Sequence, residues 1–303
     1  MSLIVQKFGG SSVRDYAHLL RMAHIVKSRV DEGDDVVVVL SAQGDTTDGL
    51  LQKAKKISER PSPRELDMLL SAGEQMSAAL GAMTLRSIGV EAVSLCAWQI
   101  PIETDGTHGN AEIELIDTAR IRKELAEGYV VVAAGFQGVD ERGDVTTLGR
   151  GGSDTTAVAM AIALQADLCQ IFTDVDGVYT CDPRIVPEAK KLPEITYNEM
   201  LELASLGAQV LHNRSVELAK SYNIQLEVLS SFVEAPGTIV KEVVKKVEKT
   251  YITGVAQDKK IARIALVGMA DEPGVAYKLF NLLAKEKVNV DMILQSLGHD
   301  EEK

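Results

Sequence analysis

Short β-branched apolar runs alternate with stretches whose apolar residues recur at helical spacing, and this alternation constrains the fold more than any other feature of the chain. Leu3–Phe8, Val36–Leu40, Ala92–Leu95, Val130–Ala134, Leu168–Thr173 and Gln225–Leu229 read as buried strands. Between them, Tyr16–Val30, Arg64–Ile88, Asp117–Ala126, Thr155–Leu164 and Val210–Ser221 read as helices. Parallel neighbours need a crossover, and a helix fills it, so the pattern predicts an α/β three-layer sandwich with a mainly parallel central sheet. Ligands bind such sheets beyond the carboxyl ends of the strands. In this chain those ends carry glycine-rich and hydroxyl-rich loops, where chemistry is expected.

At 303 residues the chain exceeds the usual size of a single core, which predicts about two domains. A formal net charge of -12 disfavours nucleic acid and anionic membranes as partners and points to a small molecule. Cys96, Cys169 and Cys181 form no CxxC pair and have no histidine cluster beside them, so no zinc site or disulfide framework is predicted. A reducing cytoplasm is the expected compartment, since no signal peptide or membrane-length apolar run is present.

Composition shifts after Pro236-Gly237. Lys241–Lys249 suits a connecting helix. Ile261–Gly268 reads as a strand, Asp271-Glu272-Pro273-Gly274 as a turn, Val275–Glu286 as a helix and Val288–Leu294 as a strand. The expected division is 1–245 for the main domain, 246–260 for a linker and 261–303 for a partial α+β unit. One β-α-β unit of about forty residues has little core of its own, so pairing with a further chain is expected, as a homo-oligomer or with another subunit.

The loops hold the candidate residues. Lys7-Phe8-Gly9-Gly10-Ser11-Ser12 puts a lysine at a strand end before two glycines and two hydroxyls, which suits a phosphate cradle or, alternatively, a plain tight turn. Ser41-Ala42-Gln43-Gly44-Asp45-Thr46-Thr47-Asp48-Gly49 could hold a small polar substrate or simply begin a capped helix. The strongest segment is Thr146–Thr156. Arg150 stands among Gly149, Gly151 and Gly152 at a helix start, where a bidentate guanidinium and backbone donors suit a carboxylate. Asp154, in the first helical turn, could orient Lys7 or a metal-bound phosphate, or merely complement the helix dipole. Thr173–Arg184 is dense in Asp, Gly, Tyr and Arg and suits a nucleotide, but it lacks the glutamate that would close a calcium loop. Glu74, in an otherwise apolar helical pattern, is either on a solvated face or a partner for an ammonium. His212 reads as a satisfied helix residue, and the histidines show no metal spacing.

KFGGSS from Lys7, SAQGDTTD from Ser41, SAGEQ from Ser71, TTLGRGGSDTTA from Thr146, TDVDGVYTCDPR from Thr173 and GAQVLHNRSVE from Gly207 together resemble the aspartate kinases, in order and spacing. The tail from Ile261 resembles the start of the ACT regulatory region of that family. The resemblance implies the amino-acid kinase fold and transfer of a phosphoryl group from ATP, with Mg2+, to L-aspartate. It implies Lys7 and Asp154 as catalytic residues, and Ser41, Thr47, Glu74, Arg150, Gly151, Gly152 and Ser153 around aspartate. Glu74 would take the ammonium and Arg150 the α-carboxylate. Lys7, Gly9, Gly10, Ser11, Thr173, Asp174, Tyr179, Arg184 and Gln209 would bind ATP. Asp271, Gly274, Val275, Ala276, Asn289, Val290, Asp291 and Gln295 would meet an effector, lysine or threonine. Members of the family usually carry lysine where this chain has Gln209, and that lysine helps hold the ATP phosphates; Asn213 replaces a common proline and Gln43 a common methionine.

The chemistry agrees with the residue inventory. An aspartate side chain, with an ordinary pKa of about 3.9, is ionised at neutral pH and needs no general base. The reaction needs charge neutralisation and in-line positioning instead. Two alternatives stand beside this reading: a kinase of the same fold for another acceptor such as acetylglutamate, glutamate or a nucleoside monophosphate, and a non-catalytic amino-acid sensor. Arg150 and Glu74 together favour a free amino acid.

Overall fold

The computed structural model describes residues 2–207, 210–243, 252–257, 262, 264–266, 273–285, 290 and 293–294. The chain divides into two units, Met1–Asp258 and Lys259–Lys303. The first contains, in order, β1 (Leu3–Phe8), α1 (Tyr16–Asp31), β2 (Asp35–Leu40), α2 (Thr46–Ile57), α3 (Pro63–Ser87), β3 (Ala92–Leu95), β4 (Ile102–Thr104), β5 (Ile113–Ile116), α4 (Ala119–Ala126), β6 (Val130–Ala134), β7 (Gln137–Val139), β8 (Val145–Thr147), α5 (Gly152–Leu164), β9 (Leu168–Thr173), β10 (Glu194–Thr196), α6 (Tyr197–Ser205), α7 (Asn213–Tyr222), β11 (Leu226–Ser230) and β12 (Thr238–Lys241). In the second unit, α8 (Val275–Lys285) is the described element, preceded by a turn at Pro273-Gly274.

The central sheet has the order β10-β12-β11-β9-β1-β2-β6-β3. Its middle is parallel throughout, and the direction reverses only between β11 and β12. Strand side chains alternate between faces, which sorts them into two cores. Val5, Val37 and Val39 join residues of α4, α5, α6 and α7, whereas Phe8, Val36, Val38 and Leu40 join α1 and α3. Both faces are therefore covered, as a parallel sheet of valine-rich strands requires. The expected three-layer sandwich is the observed one.

Several features differ from the sequence expectation, which assigns no element at β10, α6 or β12. A second sheet, β5-β4-β7-β8, stands beside the first. Its strands are three or four residues long, too short to show a period in the sequence. Helix α5 starts at Gly152 rather than Thr155, because glycines that propensity places outside a helix are needed there by close packing. A Cβ on Gly152 would come within 2.7 Å of Phe136. Helix α7 starts at Asn213 rather than Val210.

Beyond the central body, Lys241 ends β12, and residues 244–249 of the expected connecting helix lie outside the described residues. Of the strands expected near Ile261–Gly268 and Val288–Leu294, the described residues 262, 264–266, 290 and 293–294 belong to no strand, and the others are outside the described set. Residues 252–257 lie along the first unit, where the Val255 N–H donates to the Thr180 carbonyl at 2.8 Å.

Candidate active site

Strand alternation puts Lys7 on the same face as Val5, toward α5. The start of α5 brings Asp154 to it. Lys7 Nζ lies 2.7 Å from Asp154 Oδ1, with each side chain 12% exposed; the approach is too oblique for a regular hydrogen bond, so charge holds the pair. This ion pair stands at the carboxyl edge of the three central strands β9, β1 and β2.

Two loops close around it by direct backbone packing. After β1 the chain makes a 3-10 turn, Gly10–Val13, and a Cβ on Gly10 would lie 2.6 Å from the Ala42 carbonyl oxygen in the loop after β2. The Gly44 N–H donates to Gly10 O at 3.0 Å. Ala42 is gripped from the other side by α3, where a Cβ on Gly73 would stand 2.8 Å from the Ala42 Cβ. Only glycine fits at either contact.

Glu74 follows Gly73 and is 4% exposed, so it lies on no solvated face. Its Oε1 accepts the Ala42 N–H at 3.0 Å, while Oε2 is buried with no hydrogen-bond partner among the described residues. Burial pushes the carboxyl up to about 7, against the opposing pull of backbone hydrogen bonds. A buried carboxylate oxygen without a donor suits a cationic ligand group. Ser41 and Thr47 flank this position on the loop and the first turn of α2, both half-buried.

The Arg150 turn leaves β8 and enters α5. Gly151 has φ of 69°, and a Cβ there would fall 2.3 Å from the His212 ring, so both conformation and space demand glycine. Gly152 and Ser153 are buried, and Arg150 is exposed, with no ion pair or hydrogen bond among the described residues. Its guanidinium is available to an anion. His212 differs from the expected satisfied helix residue. It precedes α7, packs on Gly151, and its buried Nδ1 has no partner among the described residues.

On the nucleotide side, Thr173 ends β9 and its hydroxyl donates to Asp174 at 3.1 Å. The Tyr179 hydroxyl donates to Asp176 at 3.0 Å, and Arg184 forks onto Asp182 while 86% exposed. These two side chains are engaged within their own loop and touch no other predicted site residue in that way. Ser11 is exposed at the first turn. Gln209, Asp271, Asn289, Asp291 and Gln295 lie outside the described residues; Gly274, with φ of 92°, Val275 and Ala276 open α8, and Val290 is exposed.

Sequence reasoning missed several residues that shape the site. The Ser231 hydroxyl lies 2.7 Å from the Ser12 hydroxyl and donates to the Thr173 carbonyl at 3.2 Å, linking the first loop to the end of β9. Its signal was available, since Ser231 directly follows a parallel strand. Phe136 has φ of 67° and donates its N–H to Thr156 Oγ1 at 3.0 Å, a left-handed backbone that no sequence rule marks. Asp67 and Arg214, which hold the Arg150 turn from below, reach partners distant in sequence. No cluster of three or more His, Cys, Asp or Glu able to hold a metal occurs among the described residues.

Residues 2–230 match the model of the amino acid kinase family, and residues 264–299 match an ACT domain. The chain is 52% identical over 301 residues to the aspartate kinase of Pseudomonas putida, covering 99% of this chain and 73% of that protein. Among solved structures, the aspartate kinase from Synechocystis is 42% identical with a TM-score of 0.72, over 95% of this chain and 49% of that one. E. coli aspartokinase III in complex with lysine and aspartate is 30% identical with a TM-score of 0.81, over 97% of this chain and 77% of that one. On its fold, its site and these likenesses, the chain belongs to the amino acid kinase family, as an aspartokinase with an ACT region.

Proposed function

We propose that the protein transfers the γ-phosphoryl group of ATP to the β-carboxylate of L-aspartate, giving ADP and 4-phospho-L-aspartate, the entry step toward lysine, threonine and methionine. The observation that carries this reading is the unpartnered, buried Glu74 oxygen on α3, in a site that also presents the unengaged guanidinium of Arg150. An α-amino acid offers an ammonium to the first and an α-carboxylate to the second. Its side-chain carboxylate is then the group free to react.

In this reading a β-carboxylate oxygen forms a bond to the γ-phosphorus while the bond from that phosphorus to the β,γ-bridging oxygen breaks, leaving ADP. Lys7 lies against the phosphates with Gly9, Gly10 and Ser11, and Asp154 fixes the lysine. Backbone N–H groups of the glycine turns and the start of α5 add positive partial charge where oxygen charge develops. Ser41, Thr47 and Gly151 to Ser153 complete the acceptor side; Thr173, Asp174, Tyr179, Arg184 and Gln209 complete the nucleotide side. Mg2+ usually enters on phosphate oxygens with one or two carboxylates rather than in a protein cage, and Asp154 is the carboxylate that fits that demand. When bound it supplies neutralisation of phosphate charge.

We further assign 1–245 to catalysis, 246–260 to a linker and 261–303 to an ACT region whose residues 271, 274–276, 289–291 and 295 meet lysine or threonine in a cytoplasmic oligomer. The E. coli relative solved with lysine and aspartate supports lysine as a ligand. The test is ADP release with MgATP across L-aspartate, L-glutamate, N-acetylglutamate and UMP. Turnover with L-aspartate alone is expected, and turnover with another acceptor in its place would replace the reading.

A further inference from the structure

We propose that Asp67 is a positioning residue that sets the separation between the two groups that read the acceptor's charges, Glu74 and Arg150. The proposal rests on the functional reading above and extends it to a residue that touches no substrate.

Asp67 is only 1% exposed, although aspartate is seldom buried unless fully partnered. Its carboxylate gathers donors from two separate segments. Oδ1 accepts the Thr147 hydroxyl at 2.6 Å; Oδ2 accepts the Thr147 N–H at 3.1 Å and the Gly109 N–H at 2.9 Å, and lies 2.9 Å from His108 Nδ1. Thr147 is the last residue of β8, and the Arg150 turn begins immediately after it. The Gly109 segment supports the same turn, because a Cβ on Gly149 would meet Asn110 Oδ1 at 2.8 Å and the Gly109 carbonyl at 3.1 Å.

Asp67 and Glu74 lie on the same helix, two turns apart, which separates them by about 10 Å along its axis. Both are buried. One rigid rod therefore carries the ammonium reader at one point and, at another, the anchor for the strand that ends in the carboxylate reader. Between them the Gln137 side chain donates to Ser71 O at 2.7 Å, a second tie from α3 to the small sheet. Arg214 secures the far side of the turn, donating to Leu148 O at 3.0 Å and Ala111 O at 2.8 Å. The acceptor's ammonium and α-carboxylate sit on one carbon, so the distance between their readers must be held closely, and a displacement of about 1 Å is enough to cost up to a hundredfold in rate.

Apart from Gln209, the nucleotide groups sit on β1 and β9 or the loops that follow them, and the Asp67 carboxylate is bonded to neither segment. A split between the two substrates follows, which a merely structural role would not give. The experiment measures initial rates of the full chain with MgATP and L-aspartate for the wild type, Asp67→Ala, Asp67→Asn and Thr147→Val. For Asp67→Ala the expected result is a KM for L-aspartate raised at least about tenfold, with the KM for MgATP within about twofold. Asparagine keeps one acceptor for the two N–H groups and should recover most of that loss. Thr147→Val removes only the hydroxyl contact and should raise the aspartate KM about threefold, which keeps the test alive if Asp67→Ala does not fold. Active wild type with an unchanged aspartate KM in the variants, or with both KM values rising together, overturns this inference alone. A wild type without aspartate-dependent ADP release overturns the functional reading and this inference with it.

Discussion

Replacing Glu74 by glutamine separates the energetic cost of this carboxylate from its role in binding. Burial raises its pKa from the ordinary 4.5 to about 7. Between those values the folded protein binds a proton that the unfolded chain does not, so stability falls as pH rises through the window and the full cost is present above it. The shift corresponds to about 3 kcal/mol at its limit, most of it lost between pH 5 and pH 8. Glutamine is the same shape and can accept the Ala42 N–H, but it does not titrate. Its own buried amide costs the same at both pH values and cancels in the comparison. The stability of Glu74→Gln relative to wild type should therefore rise by about 2–3 kcal/mol from pH 5 to pH 8, or about 5–10 °C in melting temperature for a unit of this size. Binding adds a second readout, because only the ionised carboxylate attracts an ammonium. Wild-type affinity for L-aspartate should weaken about tenfold from pH 8 to pH 6, whereas the variant binds weakly with little pH dependence from this site. Thermal unfolding and calorimetric titration across this range test both. Parallel melting curves for the two proteins at all pH values would refute the argument.

Gly10→Ala drives a Cβ to within 2.6 Å of a backbone carbonyl, so the first two loops must part; a loss of about 1–3 kcal/mol in stability and a sharply raised KM for ATP are expected from melting and initial rates. Arg150→Lys keeps the charge but loses the planar fork, and should raise the KM for aspartate about tenfold with little change in that for ATP. Ser231→Ala leaves the buried Ser12 hydroxyl without its 2.7 Å partner and should destabilise by about 1–2 kcal/mol while raising the KM for ATP a few-fold, with Ser231→Thr restoring both.

Six of the eight strands of the central sheet are legible as short apolar runs rich in β-branched residues, whereas β10 and β12 are not. Leu3–Phe8, Ala92–Leu95, Val130–Ala134 and Leu168–Thr173 have the bounds read from sequence. The candidate loops stand out for a related reason, since glycine and hydroxyl residues cluster directly after such strands, although a tight turn or a capped helix start uses the same residues. Other elements were hidden in different ways. The Thr196–Glu199 capping box that starts α6 was present as a sequence signal and went unread. The small sheet has no periodicity to read. Glu74 could not be assigned to solvent or ligand until α3 was packed, since its environment is made by Ala42, a residue 32 positions away. Asp67 depends on Thr147, 80 positions away, and no local pattern announces such a contact.

The most direct test of the account is acyl phosphate formation by the purified chain. MgATP, L-aspartate and hydroxylamine are supplied together, ADP and aspartyl hydroxamate are both measured, and Asp154→Asn is run alongside. The account predicts ADP and hydroxamate in equal amounts, dependent on L-aspartate, with a rate reduced about a thousandfold in Asp154→Asn as Lys7 loses its charged partner at 2.7 Å. No hydroxamate from the wild type, or an undiminished rate in the variant, would contradict it.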